Sequence, residues 1–332
     1  MMKKLFVVLV VLVLLLPSEV YLSDVIGKKA ALPFCQLDFL LDNQRLNQLL
    51  VTGWGCLHGA ILDTGSPQVV KGRNGYLFFT PALDSVLGAR RMEQHELDAL
   101  ADRLAGISER LKRQGTRFVL LIAPDKSGVY PQYLPWYISP AASYNTDRSQ
   151  LISLLKQRDV LAPDLQAMLS AQETKTYLKT DTHWNAYGAN LAFQTLMKSA
   201  GFTDSYGFLP ADFNLPKPAP GDLVPLFLPG IEDPQTDFLP PLHRSYRTAA
   251  PMRSLDDMTI RTMSDAAGPS IYVARDSFGK ALFPYLAKAA SSMMFTRDYT
   301  GFEERAAGYD LAVLLLAERS LGSLMAFLAP VD

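Results

Sequence analysis

Cysteine and histidine are scarce in this chain of 332 residues, which has two of the former and four of the latter. No Cys-x-x-Cys or His-x-x-x-His pair occurs, so the usual ligand spacing of a zinc site is missing. Basic and acidic side chains balance, 32 against 33, which leaves a formal net charge of −1. The chain has neither a basic stripe nor an acidic tail, internal repeat or low-complexity tract. This speaks against a nucleic-acid-binding protein and against a long solvated arm.

The N-terminus has the composition of an export segment. Lys3 and Lys4 precede an unbroken apolar run over residues 5–16. Twelve helical residues rise only about 18 Å, against about 30 Å for a bilayer core, so the run alone fits the apolar region of a signal peptide. An extension over residues 20–22 would make a short membrane anchor. We therefore predict a signal peptide or N-terminal membrane anchor over residues 1–22, followed by a single catalytic domain over residues 23–332.

The two cysteines, Cys35 and Cys56, follow soon after this segment. In an oxidising compartment two such cysteines often pair, and we predict a disulfide between them. The alternative is a pair of buried free thiols.

Strand and helix patterns alternate along the rest of the chain. Apolar strands are predicted at residues 118–123, 160–162, 258–263, 270–274, 293–296 and 311–316, and helices at 93–112, 146–157, 163–170 and 186–199. Such alternation predicts an α/β fold with an open, mostly parallel sheet covered by helices on both faces. The Pro-rich stretch 209–242 is predicted to be an extended surface excursion.

Two short segments carry the residues of a serine acyl-transfer site. Asp181 lies two residues before His183, and Ser277 lies where the strand 270–274 meets a helix-like run from Lys280. Ligands of parallel sheets bind at the carboxyl ends of strands. A serine hydroxyl needs a base to take its proton, and the base needs a carboxylate to orient it. We therefore predict Ser277 as nucleophile, His183 as general base and Asp181 as the orienting acid.

Each of these residues has a simpler interpretation when it is taken alone. An Asp-Ser pair before a helix is usually a cap. A histidine beside Trp and Asn is more often a structural hydrogen-bonding residue. The pair Asp181 and His183 could also bind a metal, but no third ligand stands at a suggestive spacing, and no metal is predicted.

The segment Thr180-Asp181-Thr182-His183-Trp184-Asn185, with Gly188-Ala189, resembles the signature of the alginate O-acetyltransferase AlgJ/AlgX family. The resemblance covers about residues 70 to 290 in consistent order. Its further parts are Gly72-Arg73-Asn74-Gly75-Tyr76-Leu77-Phe78, Pro124-Asp125-Lys126-Ser127-Gly128-Val129-Tyr130-Pro131, Gly221-Asp222-Leu223 and Asp276-Ser277-Phe278-Gly279.

This resemblance implies a periplasmic SGNH-hydrolase-like enzyme with a flavodoxin-like three-layer fold. It implies Asp181, His183 and Ser277 as a triad in permuted order, since the serine comes first in ordinary SGNH hydrolases. It also implies a polysaccharide acceptor and an acetyl donor supplied by a membrane O-acyltransferase. No cofactor is predicted. The enzyme would be periplasmic, either free or anchored in the inner membrane.

Four residues near the triad are assigned to substrate binding. Trp184 and Tyr187 could stack on sugar rings, with core packing as the alternative, and Asn185 belongs to the same signature. Arg275 stands where the family has the glycine of a Gly-Asp-Ser block. It could help hold the acyl carbonyl or form a salt bridge with an acidic neighbour.

Two further expectations concern the glycan. The aromatic cluster Tyr130, Tyr133, Trp136 and Tyr137 suits either a saccharide face or a packed lid. The chain ends after the last strand–helix pattern, so we expect no appended carbohydrate-binding module. The sequence thus predicts an exported serine O-acyltransferase that acetylates an exopolysaccharide or cell-surface glycan. Alternatives are an acetylesterase with the same triad and a non-catalytic polysaccharide-binding or assembly protein.

Overall fold

The computed structural model describes residues 66–88, 92–140, 146–202, 208–228, 230–242, 246–265 and 267–328. The predicted export segment, Cys35 and Cys56 lie outside these residues. Within them, no helix combines the length and the apolar character needed to cross a membrane.

The described strands are β1 (Val69–Lys71), β2 (Leu77–Phe79), β3 (Arg117–Ala123), β4 (Pro216–Pro218), β5 (Thr236–Phe238), β6 (Tyr246–Thr248), β7 (Thr259–Ser264), β8 (Ser270–Arg275), β9 (Ser292–Thr296) and β10 (Leu311–Ala317). The described α-helices are α1 (Asp84–Leu87), α2 (Gln94–Arg113), α3 (Lys126–Val129), α4 (Asp147–Gln157), α5 (Leu165–Ser170), α6 (Ala186–Ser199), α7 (Val224–Phe227), α8 (Gly279–Ala289), α9 (Phe302–Ala306) and α10 (Leu324–Phe327).

In the described part of the chain, the central sheet has six strands in the order β3-β10-β8-β9-β7-β6. The first four run parallel, whereas β7 and β6 are antiparallel additions at one edge. The carboxyl ends of β3, β8 and β10 therefore meet at one edge of the sheet. The predicted α/β fold with a mostly parallel sheet is confirmed.

Both faces of the sheet are buried, as a parallel sheet requires. On one face Val119 and Leu121 of β3 pack in a cluster with residues of α6 and α8. On the other, Phe118 and Leu120 pack with residues of α2 and α4. Helices thus cover both faces of the sheet. Because β3 is buried on both faces, its residues 118–123 form a continuous apolar run.

Helix α2 shows how the sequence sets these elements. At its start, the Glu96 N–H donates to the Glu93 carbonyl at 3.0 Å, and the Glu96 carboxylate accepts from the Glu93 N–H at 2.8 Å. Leu97, Leu100 and Leu104 follow at helical spacing, and all three are buried against the sheet.

Two predicted elements differ from the structure. The strand predicted at 160–162 is a single bridge between Leu161 and Val119. The Pro-rich stretch is more ordered than an extended excursion, because β4 pairs with β5 and the side chains of Phe213 and Leu223 are buried. Part of it returns to the functional edge of the sheet.

Candidate active site

The serine segment is a tight turn between β8 and α8. The Asp276 carboxylate accepts from the Phe278 N–H at 2.9 Å and from the Ala317 N–H of β10 at 2.6 Å. It therefore closes the turn and fixes it to the neighbouring strand. Gly279 lies against the stem of Arg275, where an added Cβ would come within 2.9 Å of its carbons. These contacts leave Ser277 partly exposed at the carboxyl end of β8.

The histidine segment is a loop that folds back on itself before α6. The Asp181 carboxylate accepts from the backbone N–H of His183 at 2.8 Å. This is the local turn that Asp favours two residues before its partner. The two-residue spacing therefore places the carboxylate beside the imidazole of the same segment.

The two segments meet at the His183 ring. Its Nδ1 donates to Asp181 Oδ1 at 2.6 Å, and its Nε2 accepts from Ser277 Oγ at 2.8 Å. The Phe278 ring packs against the imidazole with centroids 4.8 Å apart. The structure thus brings together the three residues predicted to act as nucleophile, base and orienting acid, in the hydrogen-bonded order that acyl transfer requires.

The Asp181 carboxylate is mostly buried, with 14% of its side chain exposed. Burial alone would raise the pKa of Asp181, but the hydrogen bond and charge of His183 outweigh burial and hold that pKa below its usual value. Backbone N–H groups of His183 and Asp222 act in the same direction. Asp181 is therefore ionised at neutral pH and able to stabilise a protonated imidazole.

Lys126 binds the backbone of the histidine segment, a role that the sequence analysis did not predict. Its Nζ donates to the carbonyl oxygens of Leu178, Lys179 and Asp181 at 3.1, 2.9 and 2.6 Å. Burial lowers the pKa of Lys126 to about 7. Three acceptors use all three N–H groups of an ammonium, which favours the charged form. Two sequence signals pointed to it: its position after β3, at the edge of the sheet that carries Ser277, and its place in a segment of the family resemblance.

Asp181, His183 and Asp222 present oxygen and nitrogen atoms within 4.8 Å of one another. This spacing is compatible with a cation. However, the two imidazole nitrogens already contact Asp181 and Ser277. A metal ion would have to displace one of those contacts, so the geometry favours acid–base chemistry.

The signature residues assigned to substrate binding are buried, which corrects that prediction. Trp184 is 1% exposed and donates from Nε1 to the Phe278 carbonyl at 3.1 Å, joining the two active segments. Tyr187 is 3% exposed and donates to Gln172 at 3.0 Å. Asn185 caps α6 by accepting from the Gly188 N–H at 2.8 Å. None of the three presents a face on which a sugar ring could stack.

Arg275 is also fully buried. Its guanidinium donates to the carbonyl oxygens of Leu255 and Asp276 and lies 4.6 Å from the centre of the Phe295 ring. Burial lowers the pKa of Arg275 to about 10. The guanidinium therefore holds the backbone behind the serine turn, in place of the predicted contact with an acyl carbonyl or a salt bridge.

The aromatic cluster divides into buried and exposed members. Tyr130 is buried and contacts Thr176, whereas Trp136 is 81% exposed and packs edge-on against the half-exposed Tyr137. Tyr133 is partly buried and stacks on the Tyr76 ring, with centroids 4.1 Å apart. Trp136 and Tyr137 therefore offer the most open aromatic surface of this cluster.

Asp125 anchors a buried ionic contact beside the site. Its carboxylate is fully buried and accepts from Arg319 at 2.7 Å, and the Arg319 guanidinium lies 5.3 Å from the centre of the Phe278 ring. Burial raises the pKa of Asp125 to about 7. The charge of the nearby Glu318 acts in the same direction, and Arg319 opposes it.

This raised pKa predicts a pH-dependent effect of Asp125→Asn on stability. Between about pH 4 and pH 7 the folded wild type binds a proton that the unfolded chain has lost, so its stability falls as pH rises. The variant has no carboxyl group at position 125 and therefore lacks this pH dependence of stability. We expect its free energy of unfolding, relative to wild type, to increase by about 1–3 kcal/mol over that range. Denaturant titrations at several pH values measure it. Asp265→Asn, whose side chain is 94% exposed, should give no such trend; a flat difference for Asp125→Asn would contradict the prediction.

Known proteins resemble this chain in sequence and in fold. Residues 69–295 match the family model described as SGNH hydrolase-like domain, acetyltransferase AlgX. Among curated proteins, the probable alginate O-acetylase AlgJ of Pseudomonas syringae pv. tomato is 34% identical over 145 residues, which are 43% of this chain and 36% of that protein. The probable alginate O-acetylase AlgJ of Pseudomonas putida is 31% identical over 148 residues, 44% of this chain and 37% of that protein. The matched segments thus span little more than a third of these relatives.

Solved structures show the same fold at low sequence identity. Bacillus cereus PatB1 with a sulfonyl adduct has a TM-score of 0.56 and 18% identity, covering 76% of this chain and 95% of that one. A DHHW family protein from Eubacterium siraeum has a TM-score of 0.53 and 15% identity, also covering 76% and 95%. Since the family model matches well over half of the 332 residues, the chain belongs to the family of SGNH hydrolase-like domains of the acetyltransferase AlgX.

Proposed function

We propose that this chain is a serine O-acyltransferase that moves acetyl groups onto an exopolysaccharide or cell-surface glycan through an acyl intermediate on Ser277. The observation that carries the proposal is the pair of contacts at His183, 2.8 Å to Ser277 Oγ and 2.6 Å to Asp181 Oδ1. Membership of an acetyltransferase family supports acetyl as the group transferred.

The reaction runs in two halves. As Ser277 Oγ attacks the acetyl carbonyl of the donor, His183 Nε2 takes the hydroxyl proton, and Asp181 stabilises the imidazolium through Nδ1. Collapse of the tetrahedral intermediate breaks the bond to the donor, whose leaving oxygen takes the proton from His183. A sugar hydroxyl then loses its proton to His183 and attacks the acetyl-serine ester. Collapse of this second tetrahedral intermediate breaks the bond to Ser277 Oγ, which takes the proton back from His183, and releases the acetylated sugar.

The oxyanion of each tetrahedral intermediate needs hydrogen-bond donors near Ser277. The N–H groups of Phe278 and Gly279 are directed at Asp276, at 2.9 and 3.3 Å. Among the described residues, the Ser277 N–H has no hydrogen-bond acceptor. It is therefore the backbone donor that we assign to the developing oxyanion.

The donor and the location follow from the predicted export segment. An enzyme outside the cytoplasm has no direct access to cytoplasmic acetyl donors, so we propose a membrane O-acyltransferase as its supplier and the periplasm as its location. Two relatives are named probable alginate O-acetylases, which makes alginate the first acceptor to test. The exposed pair Trp136 and Tyr137 is available to contact such a glycan.

The test is mass spectrometry of the protein after exposure to an activated acetyl ester. The wild type should gain one acetyl group on the Ser277 peptide, and Ser277→Ala should gain none while keeping its thermal unfolding transition. Ser254→Ala, a change at an exposed serine, should be acetylated normally. Acetylation of Ser277→Ala equal to wild type would refute the acyl-serine intermediate.

Product analysis with an oligosaccharide present separates the two triad functions. An acetylated sugar establishes a transferase, whereas release of acetate alone establishes an esterase. Glycan binding without any Ser277 adduct would instead favour the non-catalytic binding protein.

A further inference from the structure

A second loop, residues 221–223, closes over the segment that carries Asp181 and His183. A Cβ at Gly221 would overlap the carbonyl oxygen of Thr180, so only glycine allows this approach. The Leu223 N–H donates to the same carbonyl at 3.1 Å. The loop is thus held against the histidine segment by its backbone.

Asp222, at the centre of this loop, contacts every residue of the Asp-Thr-His segment. Its N–H donates to Asp181 Oδ2 at 3.1 Å. Its two carboxylate oxygens accept from the Thr182 N–H at 2.8 Å and the Thr182 hydroxyl at 2.7 Å. Its Oδ2 also lies 3.5 Å from His183 Nδ1. Two carboxylates, those of Asp181 and Asp222, therefore face the same imidazole nitrogen.

We propose that Asp222 is a positioning residue of this site, whose carboxylate acts together with that of Asp181 to stabilise the protonated form of His183. Its meaning for catalysis rests on the proposed acyl transfer. In that reaction the imidazolium forms each time His183 takes a proton from Ser277 or from the acceptor, so a second negative charge lowers the energy of both steps.

The other charged groups around His183 define what the charge of Asp222 adds. Lys126 lies under the segment and binds the Asp181 carbonyl at 2.6 Å, opposing a positive imidazole. Asp276 lies on the serine side, and Arg319 lies beyond the Phe278 ring. Asp222 makes none of these hydrogen bonds, although its charge raises the pKa of Lys126 and so partly opposes the effect of burial there. Its side chain is also 42% exposed, so its replacement leaves no buried cavity, and its charge can be removed separately from that of Asp181.

Proton NMR of the histidine rings measures the effect without substrate. The chain has four histidines, and His183→Gln identifies the signals of His183. In Asp222→Asn we expect the titration midpoint of His183 to fall by about 0.5–1 pH unit, the effect of removing one charge 3.5 Å away where both side chains are partly exposed, 23% for His183 and 42% for Asp222. If the His183 midpoint in Asp222→Asn lay within about 0.2 pH unit of the wild-type midpoint, the proposal would be overturned.

Asp233→Asn is the matched control for a merely structural role. The Asp233 carboxylate joins the same two segments, accepting from the Thr180 hydroxyl at 2.6 Å and the Gly221 N–H at 2.7 Å. It makes no contact with His183 among the described residues. In Asp233→Asn we expect the titration midpoint of His183 to stay near that of wild type. A shift as large as in Asp222→Asn would mean that the geometry of the loop, and not the charge of Asp222, causes the effect.

Kinetics completes the test. For Asp222→Asn we expect acetyl transfer to fall about 3–10-fold, with the acidic limb of its pH profile displaced to lower pH by the same amount as the NMR midpoint. A second outcome is that the wild type forms no acyl-serine while Asp222→Asn still shows the NMR shift. That combination would refute the proposed function but would leave the electrostatic pairing of Asp222 with His183 intact. Acyl transfer that is unchanged in rate and in pH profile would overturn the role of Asp222.

Discussion

His183→Ala is expected to lower the rate of acetyl transfer by about 10⁴–10⁶-fold, as losses of triad members do in serine hydrolases. The reason is that a serine hydroxyl reacts slowly unless a base takes its proton as it attacks. In this site only the His183 imidazole lies within hydrogen-bond distance of Ser277 Oγ among the described side chains, at 2.8 Å. The rate of acetate or acetyl-sugar formation from an acetyl ester measures the loss.

The double variant His183→Ala/Ser277→Ala makes this prediction sharper. Residues that act as one unit give losses that do not add, so the double variant should be no slower than the slower single variant. If the rate losses of the two single variants multiplied in the double variant, the two residues would act independently, which would contradict a shared acid–base site. His95→Ala is the control, because His95 is an exposed residue of α2 and should leave the rate unchanged.

Sequence patterns were most informative where local chemistry decides the structure. The helix predicted at 186–199 is α6 with the same bounds, because Asn185 caps its start and a glycine ends it at 201. The spacing of Asp181 and His183 also has a local cause, the turn that the carboxylate makes with the His183 N–H. The convergence of these residues with Ser277 follows from placing Ser277 at the carboxyl end of a parallel strand.

Burial at the site could not be predicted in this way, because it depends on contacts distant in the sequence. Trp184 points inward since its indole binds a carbonyl 94 residues later, and no local pattern separates that from an exposed sugar-stacking residue. Lys126 reaches the loop 178–181 only through the packing of α3 against it. Asp222 stood in a segment of known resemblance, but its role depends on where the Pro-rich stretch folds.

The direction of the edge strands also could not be predicted from local sequence patterns. The pattern at 258–263 predicted a strand correctly, but its direction depends on which neighbour it joins. β7 pairs antiparallel with both β6 and β9. The connection between β6 and β7, residues 249–258, forms no crossover helix, which a parallel pair would need.

Arg275→Ala is expected to destabilise the fold by about 3–5 kcal/mol, the range found when a buried charged partner or a large buried side chain is removed. The variant leaves the carbonyl oxygens of Leu255 and Asp276 without their donor and opens a cavity beside the Phe295 ring. Denaturant unfolding measures the loss, and we expect a midpoint well below that of wild type. Arg275→Met, which keeps most of the side-chain volume, should lose less.

The same variant separates a structural from a substrate-binding role for Arg275. A guanidinium that contacted the substrate would, when removed, raise KM and leave the unfolding midpoint unchanged. The buried position predicts the opposite, a large loss of stability and a KM close to wild type in the folded fraction. Arg247→Ala is the control, because that side chain is 75% exposed and pairs only with the exposed Asp265 in the described part of the chain. It should change neither quantity, since exposed ion pairs contribute at most about 1 kcal/mol. An unchanged midpoint for Arg275→Ala would restore the substrate-binding assignment and would require the guanidinium to leave its contacts behind the serine turn when the acyl group binds.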